Sequence, residues 1–164
     1  MHPDCFTLSL PYPELSPSYR DLRLARALFP MYIGENGELA AMSSHLYAAL
    51  RCEKCSAPLG EIFDAVAQTE LLHLRLLGRL IRDLGADPII RTHIESPALP
   101  PEAANCPRTV RHLLESSLRH EEITADHYRY LIKQTTDRAV TALLERILLD
   151  EEQHIALFRN LLHG

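Results

Sequence analysis

Apolar positions recur at helical spacing through four long stretches, and no period-two alternation persists long enough to suggest a sheet. The first stretch runs from about Ser18 to Leu50, with a kink expected at Pro30 and looseness at Gly34 and Gly37. The second runs from Leu59 to Leu84 and stops at Gly85, with Pro88 beyond. The third begins after Pro107 and reaches about Gln134, and the fourth runs from Asp137, an N-cap by its residue type, to about His163. The connections between them are short, long (Gly85 to Pro107, holding Pro88, Pro97, Pro100 and Pro101) and short. That pattern predicts an all-α chain, a four-helix bundle with one long crossover between its second and third helices. Residues 1–17 hold Pro3, Pro11, Pro13 and Pro17 and read as an extended arm lying on the body or on a partner, leaving residues 18–164 as the bundle.

Alternating steps of three and four define the inward stripe of each helix. The second helix gives Phe63, Val66, Glu70, His73, Leu77, Leu80 and Leu84, and the fourth gives Val140, Leu144, Ile147, Glu151, His154, Phe158 and Leu161. Both apolar stripes are interrupted mid-helix by Glu followed three residues later by His, so each pair shares one inward face. The third helix gives Val110, Leu114, Ser117, Glu121, Thr124, Tyr128 and Leu131, with a single acid at mid-stripe. The first gives Met31, Glu35, Glu38, Met42, His45 and Ala49, again with acid in the middle.

Inward carboxylates change the chemistry of the prediction. Each costs several kcal/mol to bury without a cation or strong hydrogen bonds, and four together cannot all stay ionised in a dry core. No Lys or Arg occupies these stripes at that level. Two divalent metal ions supply four positive charges against four negative ones, and two imidazoles complete the donor set. A Glu from each of two helices plus Glu-x-x-His from each of the other two is the arrangement of di-iron and di-manganese bundles.

The wider composition narrows the classes. The chain has 164 residues, 46% apolar and 24% charged, which suits one globular domain. Its formal net charge of −5 argues against a nucleic-acid or anionic-membrane surface. No stretch approaches the roughly 18 apolar residues of a membrane helix, and the first residues lack a signal-peptide pattern, so a cytoplasmic protein is expected. Four Cys do not make a disulfide scaffold. Cys52 and Cys55 read as two free thiols in an exposed turn, with a redox pair or half of a metal site as the sharper alternative; Cys5 and Cys106 have no recognisable partner spacing.

With these motifs in view, the chain resembles the ferritin-like superfamily, in particular the rubrerythrin, bacterioferritin and manganese-catalase group. Gly37-Glu38-Leu39-Ala40-Ala41 resembles the first-helix ligand motif, which implies Glu38 rather than Glu35 as a ligand. Glu70-Leu71-Leu72-His73-Leu74 is similar to the second-helix motif, and Asp150-Glu151-Glu152-Gln153-His154-Ile155 to the fourth-helix motif of bacterioferritins. The family's aromatic two turns past the third-helix ligand matches Tyr128, which favours Glu121 over Glu122. The resemblance spans about residues 18–162 and implies the metal ligands Glu38, Glu70, His73, Glu121, Glu151 and His154, with Glu38 terminal and one or more of Glu70, Glu121 and Glu151 bridging. Spacing alone assigns Glu70 and His73 mainly to one ion, Glu151 and His154 to the other.

Several features depart from individual relatives. Only one Cys-x-x-Cys is present, so a rubredoxin-type electron-transfer domain is not expected; Thr124 stands where rubrerythrins carry an extra Glu. The sequence ends at Gly164 without the fifth helix of cage-forming ferritins, so a storage cage is not expected, and manganese catalases have longer tails. The predicted function is a non-haem dinuclear-metal oxidoreductase, iron or manganese, acting on hydrogen peroxide or dioxygen in a peroxidase- or catalase-like way. An external electron donor and a homodimer partner complete the expectations. Ferroxidase activity is the first alternative, and a non-enzymatic coat or shell bundle held by its metals is the second. Six protein ligands leave open positions on two six-coordinate ions, where paired metals clamp both oxygens of a small ligand. His45, one heptad past Glu38, reads equally as a hydrogen-bond partner of the site or a core histidine; Tyr128 reads first as a core aromatic.

Overall fold

The computed structural model describes residues 8–90 and 106–163, with the backbone alone for 106–109. Among the described residues there are five helices, α1 (Leu22–Ile33), α2 (Glu38–Cys52), α3 (Ala57–Asp83), α4 (Cys106–Ile132) and α5 (Arg138–His163), and no strand. α3, α4 and α5 each fill one position of a four-helix bundle, and α1 and α2 fill the first position in tandem. Most of the crossover expected over Gly85 to Pro107 lies outside the described residues. None of the described helices is long and apolar enough to cross a membrane.

The first position holds two helices where one, kinked at Pro30 and loosened at Gly34 and Gly37, was expected. The helix continues one turn past Pro30 and ends at Ile33; the break falls at Gly34–Gly37 instead. There the chain folds back over its own carbonyls. A Cβ on Gly37 would sit 2.6 Å from both the Pro30 and Met31 oxygens, closer than any side chain tolerates, so the break depends on glycine for space. Because Gly37 is the N-cap of α2, this close approach also sets where Glu38 begins the second segment. Gly37→Ala should therefore cost about 2 kcal/mol by overpacking, read as a lower urea midpoint, and should displace Glu38.

The other ends follow their local chemistry. Asp21 caps α1 by accepting from Leu24 N at 2.9 Å, and Asp137 caps α5 by accepting from Ala139 N and Val140 N at 2.9 and 3.2 Å. α3 ends in a Schellman turn: Gly85 N donates to Arg82 O and Ala86 N to Ile81 O, with Gly85 at φ +100°.

Two apolar clusters occupy the bundle's ends. At one end Leu24, Leu28 and Met31 of α1 pack with Leu77, Leu80 and Ile81 of α3, with Tyr128, and with Val140, Leu144 and Ile147 of α5. At the other, Ala48, Ala49 and Cys52 of α2 pack with Ile62, Phe63 and Val66 of α3, Leu114 of α4 and Phe158 of α5. Between them lies a layer of buried acids and histidines.

Candidate metal centre

All six residues singled out from the sequence lie in that layer at 0% exposure. Glu38 opens α2, Glu70 and His73 lie mid-α3, Glu121 mid-α4, and Glu151 and His154 mid-α5. Their donor atoms converge in two overlapping groups. Glu38, Glu70, His73 and Glu151 each offer an atom within 4.8 Å of the others, as do Glu70, Glu121, Glu151 and His154. Glu70 and Glu151 belong to both groups. Spacing assigned Glu70 mainly to one ion and Glu151 mainly to the other; packing brings both acids within reach of both imidazoles, and Glu151 lies 3.0 Å from His73, the histidine of the other helix. Glu35, on the same predicted stripe as Glu38, is exposed, because the break at Gly34–Gly37 turns it outward.

The imidazoles face the acids directly. His73 Nδ1 is 3.1 Å from Glu70, 3.0 Å from Glu151 and 3.7 Å from Glu38. His154 Nδ1 is 2.9 Å from Glu70 and 3.9 Å from Glu121. Among the described residues, the ion pairs reaching these four carboxylates come from imidazoles alone. Donors are too few: Glu38 Oε2, Glu70 Oε1, Glu121 Oε2 and both oxygens of Glu151 accept no hydrogen bond of normal geometry. Native interiors seldom leave so many buried acceptors unmet without an ion to meet them. This donor set, carboxylate oxygen plus imidazole, suits iron or manganese.

Protonation reflects the same shortage. Burial pushes the Glu38 carboxyl up to about 8, helped by the charge of Glu70 and opposed by His73. Burial, with the charges of Glu70 and Glu38, drives Glu151 well above the carboxylate range. Burial opposes ionisation of Glu70 too, but the charges and hydrogen bonds of His154 and His73 win and hold it well below the usual range. Glu121 falls to about 2 because His154 and His45 outweigh burial and the repulsion from Glu70. Both imidazoles resist burial and rise well above the ordinary value through the surrounding acids. The metal-free site thus consists of two carboxylates, two carboxylic acids and two imidazoliums, with no net charge.

A second tier of side chains orients this layer. Tyr128 is fully buried and its hydroxyl donates to Glu38 Oε1, so it is a core aromatic and a partner of the site at once. His45 Nε2 lies 2.7 Å from Glu121 Oε1, and its ring stacks against Phe63 and Phe158, which also stack on each other. Both earlier readings of His45 are therefore met. Stripe spacing assigns no role to Asp150, Arg146 or Tyr12, yet they hold the far side of His73. Asp150 Oδ2 is 3.2 Å from His73 Nε2, accepts from Tyr12 OH at 2.5 Å and pairs with Arg146 at 2.7 Å. Arg146 also donates to Leu8 O and Leu10 O, and its guanidinium lies 4.3 Å above the Tyr12 ring. The i, i+4 spacing of Arg146 and Asp150 on α5 was a usable signal; nothing local announced Tyr12. Arg146→Ala should free residues 8–12 and strip a cation from a buried carboxylate, lowering stability by about 2–4 kcal/mol; a lower melting temperature with faster proteolysis of the arm would report it.

The turn between α2 and α3 departs from expectation. Cys52 is a buried free thiol on the inner stripe of α2, and Cys55 is disulfide-bonded, so the pair is not two exposed free thiols. Helix phase separates them: Cys52 still belongs to the apolar cluster, whereas Cys55 has left the helix and is exposed.

A family model of the ferritin-like domain matches residues 38–164. No curated protein matches the chain by sequence. Among solved structures, KatB, a manganese catalase from Anabaena, superposes with a TM-score of 0.73 at 20% identity, covering 94% of this chain and 78% of that one. The Desulfovibrio desulfuricans bacterioferritin, described with its diiron site in different catalytic states, gives 0.69 at 19% identity, covering 86% and 80%.

Proposed function

Because this chain belongs to the ferritin-like domain family, we propose that it is a dinuclear non-haem metal protein, iron or manganese, that turns over hydrogen peroxide or dioxygen in a peroxidase- or catalase-like reaction. The observation that carries the reading is the pair of overlapping donor groups sharing Glu70 and Glu151. Glu38 and His73 would hold one ion, Glu121 and His154 the other, and Glu70 and Glu151 both. Such a pair, when bound, supplies two one-electron equivalents side by side, which is what cleavage of an O–O bond consumes.

The chain's own contribution is orientation and exclusion of water. Asp150 faces His73 Nε2, which leaves Nδ1 directed at the acids. Tyr128 and His45 each hold one oxygen of a terminal carboxylate and leave the other toward the centre. The apolar clusters above and below keep bulk water from the layer, which strengthens every electrostatic contact inside it. The likeness to a bacterioferritin favours ferroxidase activity as a second reading.

Metal analysis of the purified protein followed by peroxide turnover decides among these. About two ions per chain are expected. Oxygen evolution without a reductant indicates a catalase, turnover only with a reductant a peroxidase, and rapid consumption of added Fe(II) with little peroxide turnover a ferroxidase. Less than about half an equivalent of any transition metal, under loading conditions, would sink the dinuclear reading.

A further inference from the structure

Beside His73 the outer wall of the layer is formed by the extended segment 8–15 rather than by a helix. Its hold on the body rests on two side chains of α5. Asp150 accepts from Leu8 N at 3.0 Å and from Tyr12 OH at 2.5 Å. Arg146 donates to Leu8 O at 2.8 Å and to Leu10 O at 3.0 Å, with its guanidinium against the Tyr12 ring. Among the described residues, no backbone–backbone hydrogen bond joins residues 8–17 to a helix. Under this cover Arg146 is 5% exposed and Asp150 0%, so lifting the segment opens both to water. Tyr12 and Leu15 pack on the edge of the apolar cluster. Pro11 and Pro13 restrict the detached chain, which lowers the entropy lost on seating it.

We propose that this segment is a latch for one of the two metal positions, with Tyr12 as its positioning residue. Seating of the arm and occupation of the position of Glu38 and His73 favour one another, while the position of Glu121 and His154 loads without the arm. The inference rests on the dinuclear reading above. The Tyr12 hydroxyl has one proton and gives it to Asp150. Toward His73 Nε2, 3.2 Å away, its oxygen therefore accepts, as does Asp150 Oδ2 at the same distance. Two acceptors facing Nε2 call for the proton there. A neutral imidazole protonated on Nε2 keeps its lone pair on Nδ1, the atom turned toward Glu38, Glu70 and Glu151. With the arm lifted, Asp150 loses two donors and Arg146 two acceptors, and His73 loses a contact that fixes its tautomer and ring plane. Groups standing one contact beyond a metal ion change its affinity by about 10–100-fold. Linkage makes the effect reciprocal: an ion that binds more tightly with the arm seated holds the arm down by the same factor. Among the described residues, the hydrogen bonds of residues 8–15 reach Asp150, Arg146 and His73 alone. Glu121 is oriented from inside the bundle by His45, so the coupling is to one ion.

Titrating the metal-free full chain with Mn(II), wild type against Tyr12→Phe, tests this, since Phe keeps the ring against Arg146 and deletes only the hydroxyl. Wild type should bind about two ions per chain. Tyr12→Phe should bind one as wild type does and the other about 10–100-fold more weakly. Tyr19→Phe, at the exposed foot of the arm, should match wild type. Retained helical circular dichroism shows that each variant folds. Chymotryptic cleavage of the Leu8-Ser9 bond reads the arm directly, because it tracks the opened fraction when reclosure is fast. Mn(II) should slow that cut by about 10-fold or more in wild type and by less than about 3-fold in Tyr12→Phe. Two ions bound to Tyr12→Phe at wild-type affinity, a loss shared equally by both ions, or arm cleavage unmoved by Mn(II) would each overturn the latch and leave the dinuclear site standing. A wild type that binds no ion overturns both.

Discussion

Glu70→Gln and Glu151→Gln should abolish metal loading alike, yet move the stability of the metal-free protein in different directions. Both acids belong to both donor groups, so losing either removes a ligand from each ion. Occupancy should fall below about 0.2 per chain under conditions that fill the wild type. The metal-free proteins differ because the two carboxyls carry opposite charge states. Glu70 is ionised and faces both imidazoliums, at 3.1 and 2.9 Å. Replacing it by the neutral isostere leaves two buried cations with Glu121 alone. Glu38, at about 8, ionises in its place at a cost of about 1.4 kcal/mol per unit above neutral pH, which limits the loss to about 2 kcal/mol. That corresponds to a fall of roughly 4–8 °C in a chain of this size.

Glu151 behaves otherwise. It is held protonated, and both its oxygens accept no hydrogen bond of normal geometry. An amide there replaces a neutral group by a neutral group and brings a second N–H donor to a layer short of donors. The metal-free Glu151→Gln protein should match or exceed wild type by up to about 1 kcal/mol. Metal analysis and thermal melts in chelator measure both halves. Equal destabilisation by the two changes would mean that Glu151 is ionised and the layer is not neutral as described. Retained metal in either variant would mean that the shared carboxylates are not ligands.

How much of this was legible in the sequence depends on where the information lies. The stripes of α3 and α5 were readable because i, i+3 and i, i+4 spacing is local. Phe63, Val66, Glu70, His73, Leu77, Leu80 and Leu84 are all buried, as are Val140, Leu144, Ile147, Glu151, His154 and Phe158. Leu161 and Val110, at stripe ends, are only half-buried, since helix termini stand clear of their neighbours. The loose point at Gly34 and Gly37 was legible, but the kink was expected at Pro30, which fits the helix; what ends α1 is steric, the approach of Gly34 and Gly37 to the carbonyls behind them. The sharing of Glu70 and Glu151 arises from how α3 and α5 face one another, which no single helix encodes. Tyr12 reaches His73 across 61 positions, and proline content says that a segment is extended without saying what it touches. The same limit held for Cys52 and Cys55, where spacing could not tell an inner thiol from one bonded elsewhere.

The largest pH effect follows from the protons stored in the layer. A metal-loaded site needs four carboxylates and two neutral imidazoles, whereas the metal-free site holds protons on Glu38, Glu151, His73 and His154. Loading two ions at neutral pH should therefore release about four protons per chain. Without metal, all four groups bind protons more tightly folded than unfolded, so stability falls as pH rises. Glu38 contributes to that fall from about 4.5 up to about 8, and the imidazoles contribute above their ordinary 6.5 as pH climbs toward their raised values. Glu70 and Glu121 work in the opposite sense: their lowered values stabilise the fold above about 4.5, and that stability is lost as pH drops toward 2, the value of Glu121. Chelated protein should thus be most stable near pH 5 and lose melting temperature from pH 6 to 9. Loaded protein should gain it over the same interval, because deprotonation that costs the empty site is what the ions require. Titration calorimetry in buffers of different ionisation enthalpy counts the protons, and parallel melts with chelator and with Mn(II) compare the slopes. Parallel rather than opposed slopes, or release of fewer than about two protons, would mean that the buried acids are already ionised before any ion arrives and that some other cation balances them.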